Sequence, residues 1–183
     1  MPLHLALANA VGSATAKTVA KNLAKAAGVA LARNAATSLI DNYLRGKVQP
    51  RVGSLLYVDM FLGAAEHSGI YVGNGEVVEL GGDGCVRKVP AKHFLDDGSL
   101  KMTAISIYVS SHDGHGMGSE QVAQRALSKV GSHRDYNVLT DNCHRFCIGC
   151  LTGDDGVPCI SLQQLKDVAK QHLGADEWRV WDR

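Results

Sequence analysis

Apolar and polar positions change rhythm twice along the chain. Residues 5–46 are rich in Ala, with Leu, Lys and Arg and no Pro. Ala is the strongest helix former, so a helical extension is expected here. Lys17, Lys21 and Lys25 recur every four residues on one face, and Val19, Leu23 and Ala27 do so on another. Gly12 and Gly28 are the expected weak points of this segment. Pro50 and Gly53 mark a boundary, which divides the chain into an extension, 1–48, and a domain, 49–183. Beyond it come short β-branched or aromatic runs bounded by Gly, Asp or Asn: SLLYVD, HSGIYVG, EVVEL, GCVRKV and TAISIYV. Gly73-Asn74-Gly75 is a hairpin signal between two of them. The helical rhythm then returns. EQVAQRALSKV, 120–130, places Val122, Ala126, Leu127 and Val130 on an apolar stripe, with Ser119 as N-cap. YNVL reads as extended, and helices are expected at about 141–151 and 161–173.

Helices, then strands, then helices indicate an α+β fold with an antiparallel sheet. A length of 183 residues suits one domain with a proper core plus an extension.

Composition changes this picture little. The chain is 45% hydrophobic and 20% charged with a net charge of +1, which gives no sign of bulk nucleic-acid binding. The charge is uneven: residues 1–50 carry +5, leaving −4 for the remainder. No run of apolar residues is long enough to predict a membrane span. The first residues carry no Lys or Arg ahead of their apolar stretch, unlike a secretory signal. The extension is read first as helices packed on the domain or on a partner. The second reading is a peripheral membrane contact through residues 15–46, placed second because the apolar side is mostly Ala and buries little area.

The five cysteines matter more. Their number is odd, and Cys143, Cys147 and Cys150 fall within eight residues, NCHRFCIGC being the whole stretch from Asn142. That is no secreted disulfide framework, so reduced thiols and a cytoplasmic protein are expected. The C-x3-C-x2-C spacing occurs in radical iron–sulfur loops, but those need a long barrel after the motif, and here 33 residues follow Cys150. Structural zinc usually takes two well-separated ligand pairs, and Cys159 with the HDGH at 112–115 completes no familiar arrangement. No metal and no cofactor are expected.

A nucleophile fits better. Thr140, Asp141 and Asn142 are capping-type residues, so Cys143 should lie in the first turn of a helix. Free N–H groups and the helix dipole stabilise a thiolate there, and the same N–H groups can hold an oxyanion. Cys147 and Cys150, further along, read as core residues. His144, adjacent in sequence, points about 100° away on a helix and is a poor base. His67 is the better candidate. Strand alternation sets His67, Gly69, Tyr71 and Gly73 on one face, against Ser68, Ile70 and Val72 on the other. The two glycines beside His67 leave room above the sheet for a substrate or an approaching helix.

At this point the motifs resemble a known family. HSGIYVGNGEVVEL is similar to the H-W-A-I-Y-V-G-D-G-x-V-V-H segment of the lecithin:retinol acyltransferase family and its phospholipase/acyltransferase relatives. YNVLTDNCHRFC is similar to their Y-x-L-x-x-x-N-C-E-H-F, with Tyr136, Asn142, Cys143 and Phe146 in step. The resemblance covers residues 50–152 and implies a permuted papain-like fold of the NlpC type, its sheet packed on the helix that bears the nucleophile. It implies that Cys143 takes up an acyl group as a thioester and that His67 is its general base, the acyl group passing to water, an alcohol or an amine. Tyr71, Asn142 and His144 beside them are candidate substrate-binding residues. Two departures stand out. Glu79 replaces the family's second histidine and could orient the His67 ring. A two-residue Asn74-Gly75 turn would put Glu79 on the face opposite His67, whereas a three-residue loop would put both on one face. His144-Arg145 replaces Glu-His and adds positive charge beside Cys143.

The expected function is cysteine-dependent acyl transfer or hydrolysis through a thioester, acting on a lipid ester or another acyl substrate. A cysteine amidase or isopeptidase is the alternative, and a non-enzymatic interaction scaffold the third reading.

Overall fold

A computed structural model describes residues 46–60, 65–96, 104–137, 139 and 141–183, together with seven positions between 18 and 32. Those seven are helical, as expected of the extension, and Lys21, Lys25 and Val29 among them are exposed. Lys17 and the stripe of Val19, Leu23 and Ala27 lie outside the described residues. Among the described residues no helix is long and apolar enough to cross a membrane.

The described residues form a sheet of eight strands: β1 (Lys47–Val48), β2 (Leu55–Met60), β3 (Ala65–Gly73), β4 (Glu76–Leu80), β5 (Val86–Pro90), β6 (Tyr108–His112), β7 (His115–Gly116) and β8 (Glu177–Trp181). Beyond the helical positions of the extension, the described residues form helices α1 (Ala91–Leu95), α2 (Glu120–Ser128), α3 (Cys143–Thr152) and α4 (Leu162–Leu173). The order across the sheet is β1-β8-β6-β2-β3-β4-β5, with β7 pairing β6. Every pairing is antiparallel except that of β1 with β8, which is parallel and makes the sheet mixed. β1 pairs Val48 with Trp181 across the sheet, so the boundary drawn at 48/49 falls at the end of a paired strand rather than in a linker.

Both faces of the sheet are covered. On one face Leu55, Tyr57, Ile70 and Val78 pack with Phe146, Cys147 and Ile148 of α3 and Leu165 and Ala169 of α4. On the other, Leu56, Val58 and Val77 pack with Phe94 of α1, Ile107 and Trp181. This explains the unbroken apolar run LLYV in β2: a strand between two neighbours and two packed layers has no solvent face. In α2, Val122, Ala123 and Ala126 are buried while Leu127, and Val130 just past the helix end, are exposed, so the buried stripe is narrower and shorter than the periodicity suggests.

The β3–β4 hairpin settles the register of Glu79. Asn74 and Gly75 form a two-residue turn, both with positive φ as a type I′ turn requires. That turn alone would turn Glu79 away from His67. A register shift between Tyr71 and Gly73 intervenes, and beyond it Tyr71 pairs with Val77 and Gly69 with Glu79. One extra residue on β3 reverses the facing of everything beyond it. Glu79 therefore shares a face with Gly69 and His67.

Candidate active site

Helix α3 begins where the capping residues predict. Asn142 is the N-cap: its Oδ1 accepts from the Arg145 N–H at 3.0 Å and its Nδ2 donates to the Cys159 carbonyl at 3.1 Å. Gly153 ends the helix in the left-handed conformation at φ +83°. Cys143 is thus the first helical residue. The N–H groups of Cys143 and His144 stand in the first turn, where an α-helix supplies no carbonyl for them.

The body of α3 does not lie on His67's face of the sheet. It packs on the opposite face, where Ser68 Oγ lies 2.9 Å from His144 Nδ1 and takes a longer contact from Cys147 Sγ at 3.5 Å. Cys143 nevertheless comes close enough to His67 for the two to shift each other's charge, at the end of β3 where pairing with β4 has not begun. The earlier residues of β3 pair with β2 alone, and Cys143 Sγ stands 4.0 Å from the Glu66 carbonyl oxygen at that end of the strand. Cys143 is 3% exposed, His67 5% and Glu79 fully buried.

Geometry assigns one nitrogen of His67: Nε2 lies 2.7 Å from Glu79 Oε2, which leaves Nδ1 as the nitrogen that can face Cys143. The other oxygen of Glu79, Oε1, accepts from Arg87 Nε at 2.9 Å, and Arg87 Nη1 donates to Asp83 at 3.1 Å. Arg87 lies directly opposite Glu79 in the β4–β5 ladder.

These contacts decide the charges. Burial alone would lower the pKa of His67. Hydrogen bonds and opposite charge from Cys143 and Glu79 outweigh it and raise the pKa to about 9. Burial likewise pushes the Cys143 thiol up, but hydrogen bonds and positive charge from His144 and His67 prevail and hold it well below its ordinary range. His144 Nδ1 lies 3.8 Å from Cys143 Sγ, while His67 is the histidine that carries a carboxylate on its other nitrogen. Both shifts favour the charged forms, thiolate on Cys143 and imidazolium on His67. The other two thiols of the cluster go the opposite way: burial raises Cys147 well above its usual value and pushes Cys150 up to about 12.

A family model for lecithin retinol acyltransferase matches residues 48–156, a span that includes every residue of this site. The chain belongs to the lecithin retinol acyltransferase family. A comparison with curated proteins finds no match. Membership in the lecithin retinol acyltransferase family carries cysteine-based acyl transfer or hydrolysis on a papain-like fold, and the α+β architecture agrees with it.

Within this lecithin retinol acyltransferase domain the candidate residues separate. Cys143, His67 and Glu79 come together. His144, discounted from its position next to Cys143, is drawn to the sulfur because Ser68 holds its ring. Asn142 is a cap whose amide is engaged within the protein. Tyr71 is not brought to the site: its ring packs edge-on against Trp181 at 5.1 Å, and its hydroxyl accepts from the Gly75 N–H. Nor is there room for substrate above Gly69. A Cβ there would come within 2.9 Å of Phe94, whose ring fills that space and lies 5.2 Å from His67. Ser68 and Arg87 were not found from the sequence. The Arg87 signal was present, since the Gly81–Gly84 loop pairs the oppositely charged positions 79 and 87.

Proposed function

We propose that the protein is a thiol acyltransferase or acyl hydrolase that takes an acyl group from a lipid ester onto Cys143 as a thioester. The Cys143 thiolate attacks the ester carbonyl, and the first-turn N–H groups of Cys143 and His144 receive the developing oxyanion. The His67 imidazolium gives its Nδ1 proton to the departing alcohol as the C–O bond breaks, leaving the thioester and a neutral imidazole. Water, an alcohol or an amine then loses a proton to His67 and attacks the thioester, which releases the acyl product and restores the thiolate. Glu79 orients the ring and balances its charge throughout.

The observation that carries this reading is the buried Cys143–His67–Glu79 chain, with Nε2 of His67 fixed 2.7 Å from the carboxylate. The test is intact-mass measurement after incubation with mixed phospholipid vesicles. An acyl-sized mass increment mapping to Cys143, and absent in His67→Ala, is expected. Turnover of the same vesicles by Cys143→Ala at the wild-type rate would refute the reading.

A further inference from the structure

Glu79 stands where the family motif has a histidine, and that change creates a physical problem. A histidine there can be neutral, whereas a fully buried carboxylate costs far more unless it is paired on more than one side. The hydrogen bond to His67 engages one oxygen of the carboxylate. Arg87 engages the other oxygen, 2.9 Å from its Nε, and is fixed in turn from two sides. Asp83 accepts from its Nη1, and the guanidinium lies over Gly81, where a Cβ would stand 2.7 Å from it. Glycine at position 81 therefore makes room for this arginine.

We propose that Arg87 is a positioning residue of the site: it holds the Glu79 carboxylate charged and fixed, so that the opposite oxygen orients the His67 ring toward Cys143. The inference rests on Cys143 and His67 acting as nucleophile and base. His67 faces Cys143 and Glu79 with the Phe94 ring beside it; Cys143 also faces His144, with Tyr136, Cys147 and Cys159 near enough to feel its charge; and Arg87 meets Glu79 and Asp83. Charge alternates along the line from thiolate to imidazolium to carboxylate to guanidinium. Asp83 is solvent-screened, with 56% of its side chain exposed, so Glu79 is the partner through which Arg87 acts.

The experiment follows iodoacetamide alkylation of Cys143 against pH in the full chain, located by peptide mapping. It compares wild type with Arg87→Met, Arg87→Lys, Glu79→Gln, Asp83→Ala and the Arg87→Met/Glu79→Gln double variant. Arg87→Met should raise the alkylation midpoint by about one pH unit, about tenfold in thiolate at a given pH below it. Arg87→Lys should recover part of that shift, Asp83→Ala should leave the midpoint in place, and Arg87→Met should add nothing once Glu79 is Gln. A merely structural arginine would lower the melting temperature without moving the midpoint. An unmoved midpoint in a folded Arg87→Met, or an equal shift in the Glu79→Gln background, overturns the proposal. If Arg87→Met does not fold, Arg87→Lys with and without Glu79→Gln decides in the same way. His67→Ala separates the two levels. If it leaves the midpoint unchanged, the base assignment has failed. If it moves the midpoint while Arg87→Met does not, only the role of Arg87 has.

Discussion

Replacing Glu79 with Gln removes a charge while keeping the shape and an acceptor oxygen. In the wild type the His67–Glu79 contact is 2.7 Å long, with both side chains buried, so solvent screens it little. A hydrogen bond to a charged group contributes about 1.5–3 kcal/mol and a neutral one about 1 kcal/mol, so the exchange costs the imidazolium about 0.5–2 kcal/mol. At 1.36 kcal/mol per pKa unit, His67 should fall by about one unit from its value of about 9. The two groups titrate as a pair, so the Cys143 midpoint should rise by a similar amount. Arg87 loses its buried partner in this variant, but 35% of its side chain is exposed and it still meets Asp83, so its contribution to the loss is smaller. Turnover near neutral pH should fall about 10-fold, and further in Glu79→Ala, which also removes the acceptor. The assay pairs the pH dependence of Cys143 alkylation with initial rates on phospholipid vesicles, and circular dichroism checks the fold. A Gln variant whose midpoint and turnover both match wild type would show that the carboxylate neither orients nor charges the imidazole.

Cys143→Ser should abolish turnover while Cys147→Ser and Cys150→Ser keep it, because burial holds those two thiols protonated; equal loss in all three would count against a single nucleophile. Acylation needs the His67 proton, and its raised pKa keeps that proton bound as pH rises, so the single-turnover acylation rate should decline only above about pH 9. A decline already centred near 6.5 would mean that Cys143 and Glu79 do not hold the proton. Gly69→Ala would push a methyl group to 2.7 Å from Val77 and 2.9 Å from Phe94, so a loss of about 1–3 kcal/mol in urea unfolding is expected, with turnover reduced through displacement of Phe94 from His67. Wild-type stability in that variant would show that Phe94 can yield at no cost.

Local chemistry was legible without a fold. Capping residues and the helix rhythm place Cys143 at the start of a helix, because a cap satisfies the N–H groups of its own first turn and needs nothing distant. The same holds for Asn74-Gly75, which the backbone demands for a type I′ turn, and for the α+β class, which follows from the order of the periodicities. The strand EWRVW at the end of the chain carries an alternating pattern that could have been read, but β1 and β7, two residues each, have no period at all. What the strand rule could not supply was the consequence of one residue. The register shift between Tyr71 and Gly73 decides whether Glu79 meets His67, and such a shift is selected by the packing of both sheet faces together, not by the turn. The helix that begins at Cys143 packs on the sheet face opposite His67, and Cys143 approaches at the end of β3 where β4 does not pair with it. Tyr71 and the space above Gly69 went to Trp181 and Phe94 for the same reason: those partners arrive from distant parts of the chain, and only the closed tertiary structure brings them to the sheet.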